Sequence, residues 1–241
     1  MTDFAEIWGY LGRDPLLWLT LTLAAYVIGD AGSRVSGRHP VVNPVLIAVV
    51  ILALILWATA TPYQVYFEGA QFVHFMLGPA TVALAVPLHA QLPRLRRALL
   101  PMVGALVTGV AVSSATAVWI GQALGVDRVV LLSMVPKSAT AAVALGVSEQ
   151  IGGSPTLTAV LVIVTGAMGA IVATPLLNAL QMRDWRARGF AVGVAAHGIG
   201  AARAFQVHET AGAFAAIGMG LSAILTALLA PVLAGWLVPA G

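Results

Sequence analysis

Apolar residues run without a charge through residues 39–67, 69–93, 98–126, 150–182 and 210–241, and charged side chains gather in short clusters between them. Each run reaches the roughly 20 residues that a helix needs to cross the hydrocarbon core. The apolar positions are contiguous rather than alternating, and backbone in lipid must satisfy its own hydrogen bonds, so the pattern predicts helices and not a barrel. Spans are expected over residues 15–31, 43–60, 71–91, 98–124, 155–180 and 211–237, the third interrupted by Gly78-Pro79 and by Pro87.

Two further segments are apolar but ill suited to a lipid-facing helix. Residues 129–150 carry Pro136 and Lys137 near their middle, and residues 189–207 are rich in Gly and Ala around His197 and Arg203. Basic clusters collect on the cytoplasmic side of a membrane. Arg34 with Arg38 and the trio Arg94, Arg96 and Arg97 share a face, being two crossings apart. Three apolar segments then precede Arg183, Arg186 and Arg188, so one of them must enter and return for this cluster to join the same face. Residues 129–150 are assigned to that hairpin, because non-helical backbone is tolerated at depth where it lines a cavity. Residues 189–207 are expected to form a second hairpin, entered from the opposite side.

The expected fold is an all-α polytopic membrane protein with six full spans, two interrupted or re-entrant segments, and both termini outside. Its helices are broken at Pro79, Pro136 and Gly200, within one transmembrane domain over residues 1–241. An internal comparison pairs residues 129–180 with 189–238. A shift of 56 positions matches Gln150 with Gln206, Ala159 with Ala215, Ala167 with Ala223, Pro175 with Pro231 and Leu177 with Leu233. Each unit would be one hairpin followed by one span, in inverted topology, with a substrate site near the midplane.

Composition agrees with the pattern and narrows it. Of the 241 residues 60% are apolar and 9% charged, with a mean hydropathy of +0.96. A soluble domain carries roughly 25% charged residues, so these polar side chains cannot coat a water-facing surface. The absence of cysteine excludes disulfides, thiolate metal sites and cysteine nucleophiles. Asp3 and Glu6 without a basic region do not resemble a cleavable signal peptide. The net charge of +3 sits in loop clusters that serve topology rather than nucleic-acid binding.

The buried charges carry the candidate chemistry. Lys137 is the lone lysine, follows a proline and lies deep in an apolar segment, where a charge is a functional hypothesis by default. It would bind an anion together with the amides of a broken helix, or else snorkel or pair with an acid such as Glu149. Arg203 could grip a carboxylate bidentately, or bond helix carbonyls at a loop end. His197, between Ala196 and Gly198, suits a protonatable donor on a cavity wall or a packed histidine. Ser138 and Thr140 could donate to substrate oxygens or serve helix packing. Glu149 either faces water or joins His197 in proton coupling, and His74 and His89 read as interfacial. The substrate-binding set is therefore Lys137, Ser138, Thr140, His197, Gly198 and Arg203. No metal or cofactor is expected, because the histidines show no ligand spacing and Gly198-Ile199-Gly200 lacks the strand and acid of a dinucleotide loop. His197 has no buried aspartate in sight, and the chain is not read as an enzyme.

Three stretches carry a resemblance: PATVALAVPLHAQL (79–92), PKSATAAVALGVSEQIGGSPTLTA (136–159) and RARGFAVGVAAHGIGAARAF (186–205). In these motifs the chain resembles the LrgB/CidB family from residue 43 onward. Thr140-Ala141-Ala142 stands where relatives often have Thr-Thr-Pro, and Gly200-Ala201-Ala202-Arg203-Ala204 where they often have Gly-Thr-Ala-Arg-Ala. The resemblance implies a cell inner membrane location and transport of small 2-hydroxy or 2-oxo monocarboxylates (glycolate, glycerate, pyruvate or lactate), as in the related plastid glycolate/glycerate translocator. The alternative it implies is an antiholin-like or holin-like regulator of murein hydrolase activity and lysis, acting with an LrgA/CidA-type membrane partner. A homodimer in the lipid bilayer is expected, with no nucleic-acid partner.

Overall fold

The computed structural model describes residues 14–39, 41–76, 79 and 99–238, and every regular element among them is a helix. The expected breaks at Gly78 and Pro87, the cluster at Arg94 to Arg97, the His74 side chain, His89 and nearly all of the 79–92 motif lie outside the described residues. Pro79 is described, but its neighbours on both sides are not. The chain divides into two compact units, Met1–Ala85 and Val86–Gly241.

The first unit holds α1 (Pro15–Val35), α2 (Pro44–Ala58) and α3 (Tyr63–Phe75). Both α1 and α2 start on a proline at the first helical position, behind a side-chain cap. Asp14 accepts from the Leu16 amide at 2.9 Å, and Asn43 accepts from Val45 and Leu46 at 2.9 and 3.2 Å. Trp18 of α1 is fully buried, with its ring edge-on to Tyr66 of α3 at 5.8 Å. The 15 residues of α2 rise about 22 Å, less than a core of roughly 30 Å. Of the third expected span, residues 71–75 belong to α3, and most of the remainder lies outside the described residues.

The second unit holds α4 (Leu99–Ala123), α5 (Arg128–Met134), α6 (Ala141–Gln150), α7 (Pro155–Ala179), α8 (Trp185–Val207) and α9 (Glu209–Leu237). Among the described residues α1, α4, α7 and α9 are long and apolar enough to cross a membrane. The C-terminal ends of α4 and α9 lie together, where Gln122 Nε2 donates to the Leu237 carbonyl at 2.6 Å.

Residues 128–151 enter and leave at that same end. Arg128 at the start of α5 and Gln150 and Ile151 at the end of α6 line one cavity with Pro231, Ala234 and Gly235 of α9. Buried hydroxyls fasten the exit to the entry. Ser133 Oγ accepts from the Ser154 amide at 2.8 Å, and Thr158 Oγ1 bonds the Ser133 carbonyl and Ser148 Oγ at 3.1 and 2.7 Å. Ser133, Ser148 and Thr158 are all fully buried, so each lost bond leaves a group that water cannot reach. Thr158→Val, matched in shape, is expected to cost about 1–3 kcal/mol. A thermal melt in detergent checks this, and an unchanged midpoint would show that the hydroxyls do not hold the hairpin.

The opposite end of α9 carries a second fold-back. A straight 23-residue helix would separate its ends by about 33 Å. Instead the Trp185 ring at the start of α8 stacks at 4.7 Å on His208, just past its end, and the Arg188 guanidinium lies 4.7 Å over the other partner ring, Trp185. The reversal sits at Ala196 (φ −129°, ψ 17°) and His197 (φ 41°, ψ −136°). The latter is backbone that a non-glycine residue rarely adopts. The two arms, residues 185–195 and 198–207, close on each other at Gly200, where an added Cβ would strike Ala196 Cβ and the Val192 carbonyl. The break therefore falls three residues before the expected Gly200, and that glycine lets the arms touch. Two helical hairpins thus open at opposite ends of α9, each followed by a long helix with an internal proline, Pro175 in α7 and Pro231 in α9.

Candidate functional site

The first hairpin breaks because Pro136 offers no amide to continue α5. Residues 135–139 form turns, and Thr140, with extended backbone, starts α6. Two neighbouring serines in the middle of α4 receive this irregular stretch. Ser114 Oγ donates to the Val135 carbonyl at 2.8 Å, satisfying a group that the broken helix leaves open. Ser113 Oγ lies 2.8 Å from Ser138 Oγ, and Lys137 Nζ donates to Ser113 at 3.1 Å and more weakly to Ser138 at 3.4 Å. Neither ion pair among the described residues, Arg34 with Asp30 and Arg186 with Asp184, involves Lys137. Glu149 is exposed on α6, and among the described residues the lysine's partners are two hydroxyls.

A cavity of about 650 Å³ leads to this cluster. Its walls are one side of α4 (Met102, Ala105, Gly109, Ser113) and the entry arm of α8 (Ala187, Phe190, Ala191, Val194), with Asp184 and Arg186 at the far end. Ser113 is the lining residue that touches Lys137. Arg186 hydrogen-bonds Asp184 and holds its carboxyl down at about 2. The pair thus stays ionised across the physiological range, and whatever it contributes to stability is lost only as pH falls below the ordinary carboxylate range toward that value.

The second break meets the first across α7. His197 Nε2 lies 2.9 Å from the Val162 carbonyl, which can only accept, so this nitrogen carries the proton. Val162 also packs against Ala139 and Ala144 of the first hairpin. Gly166, one turn on, leaves room for the imidazole, since a Cβ there would strike the ring. Arg203 sits elsewhere, near the mouth of the second hairpin. It bonds Gln206 at 3.3 Å and lines a cleft of about 20 Å³ with Trp185, Arg188 and Val207. Gly198 is exposed beside Met219.

The structure therefore brings Lys137, Ser138 and Thr140 to one break and His197 to the other, and places Arg203 and Glu149 apart from both. Ser113 and Ser114 were not among the sequence candidates. Their signal was a pair of adjacent hydroxyls halfway along an apolar span, a position where Ser is also an ordinary packing residue. His208, which stacks on Trp185 and caps α9 through Nδ1 at 3.1 Å, gave no signal at all.

Residues 22–236 match the LrgB-like family. The chain belongs to that family. Among curated LrgB-like relatives, the holin-like protein CidB of Staphylococcus epidermidis (strain RP62A) is 30% identical over 91% of this chain and 96% of its own length. CidB of Staphylococcus aureus (strain Mu50) is likewise 30% identical over 91% and 96%. The protein YxaC of Bacillus subtilis (strain 168) is 31% identical over 92% and 96%. No solved structure matches. With its several apolar helices, this LrgB-like protein is a multi-pass protein of the bacterial cell membrane.

The two-hairpin arrangement has a direct consequence for labelling, which the cysteine-free chain makes simple. Ala105→Cys in the cavity and Gln150→Cys at the mouth of the first hairpin are expected to react with a membrane-impermeant thiol reagent from opposite faces. Ala105→Cys should react from the cytoplasmic side, which the positive-inside rule assigns to Arg183, Arg186 and Arg188. Labelling of both from one face would mean that residues 128–151 cross the membrane.

Proposed function

We propose that this LrgB-like protein is a secondary carrier of small 2-hydroxy or 2-oxo monocarboxylates, of the glycolate, glycerate, pyruvate or lactate class, across the bacterial inner membrane. The observation that carries the reading is Lys137. It is a cation without a counter-ion among the described residues, held at a helix break within reach of a cavity wall. An ammonium in low dielectric is costly until an anion meets it, so an empty site of this kind is matched by its ligand. Opposed hairpins, each followed by a proline-containing span, support an inverted repeat and alternating exposure of one midplane site. A passive pore would instead call for a continuous polar stripe, and the walls leading to Ser113 are mostly apolar.

The second reading is a holin-like regulator that acts by assembling with an LrgA/CidA-type membrane protein, and the holin-like naming of the CidB relatives favours its regulatory part. Uptake of labelled glycolate, pyruvate or lactate into proteoliposomes of the purified chain separates the two. Saturable, competable flux supports the carrier, and its absence in well-folded protein supports assembly.

A further inference from the structure

We infer that Ser113 of α4 is a specificity-determining residue that reads a second oxygen, on the carbon next to the carboxylate of the bound anion. This rests on the carrier reading above and adds to it the group that selects among carboxylates. Ser113 is where the cavity and the cation meet, since its side chain lines the cavity and lies 3.1 Å from Lys137 Nζ. The ammonium has three protons, of which the structure commits two, to Ser113 and less closely to Ser138. The third is available to a carboxylate that arrives along the cavity.

The hydroxyl inventory then fixes what else the anion should carry. Ser113 has one proton to give and two lone pairs. One lone pair accepts from Lys137, and one bond is shared with Ser138 at 2.8 Å, in which either oxygen can be the donor. When Ser138 donates, Ser113 keeps its proton for a carbonyl oxygen in the cavity. When Ser113 donates, it keeps a lone pair for a hydroxyl. The Ser113–Ser138 pair can therefore satisfy a 2-oxo or a 2-hydroxy group by reversing one hydrogen bond, with no change in heavy-atom positions. An unsubstituted acid would reach Lys137 but leave this capacity unused. A site with a committed polar group discriminates against a ligand that lacks the partner.

Propionate, lactate and pyruvate differ only at the second carbon, and competition among them in proteoliposomes of the full chain tests the inference. In the wild-type protein lactate and pyruvate should compete at least about ten-fold better than propionate, the scale of one buried hydrogen bond to a ligand. Ser113→Ala should narrow that gap to less than about three-fold, whereas Ser113→Thr, which keeps the hydroxyl, should preserve it. Equal competition by the three acids in wild-type protein overturns the inference without recourse to any variant, as does an unchanged gap in Ser113→Ala. Absence of saturable flux of all three in folded wild-type protein removes the carrier reading and this inference with it. Flux without discrimination removes this inference alone.

Discussion

Lys137→Ala protein is expected to insert and fold as the wild type does, yet to lose carboxylate uptake by about 10- to 100-fold, the range of a hydrogen bond to a charged group. Folding should survive because the ammonium's partners among the described residues are Ser113 and Ser138, which already bond each other at 2.8 Å, so its removal strands neither. Pro136 and the Ser114 bond to the Val135 carbonyl still set the break. Lys137→Arg should also be impaired, since a planar fork does not reproduce a compact point charge between two serines. Saturable uptake and the amount of monodisperse protein, measured on the same samples, check this. Normal kinetics in well-folded Lys137→Ala would remove the lysine from the site and the carrier reading would lose its main support.

The second large effect is expected at Gly193. The entry arm of α8 and the start of α9 run in direct contact, with Gly189 against Ala211 and Gly193 against Ala215, small residues four apart on one face. A Cβ at either glycine would meet the backbone of the facing alanine, and one at Gly218 of α9 would meet the Phe190 carbonyl. Backbone cannot swing aside as a flexible side chain can, so Gly193→Val should destabilise the protein by about 3 kcal/mol or more, at the upper end of what overpacking costs. Gly104→Val on α4, where an added Cβ meets nothing within 4 Å, supplies the control and should leave stability near wild type. Thermal denaturation in detergent separates the two, and equal midpoints would show that α8 and α9 are not packed this closely.

Hydropathy, charge placement and proline determined a good deal of this protein by themselves. Lipid admits only self-satisfied backbone, so the uncharged runs 98–126, 150–182 and 210–241 became the long helices α4, α7 and α9. The parity of crossings between arginine clusters, together with Pro136 and Lys137, pointed to a hairpin at residues 129–150, and the Gly- and Ala-rich composition of residues 189–207 pointed to its counterpart. Those are one-dimensional signals, and a linear sequence carries them in full. The partners of each buried polar group are a different matter, because they depend on which elements pack side by side. Ser113 became the neighbour of Lys137, and Arg203 a neighbour of Trp185 and Arg188, only when α4 crossed the first break and the arms of α8 folded together. Likewise His197 read in sequence as either a cavity donor or a packed histidine, and only the fold sets its Nε2 against a carbonyl of α7 that lies 35 positions away. Hydrogen bonds of 3 Å are settled by helix registers and crossings that no local pattern encodes, so the tertiary structure alone decided which candidates share a site.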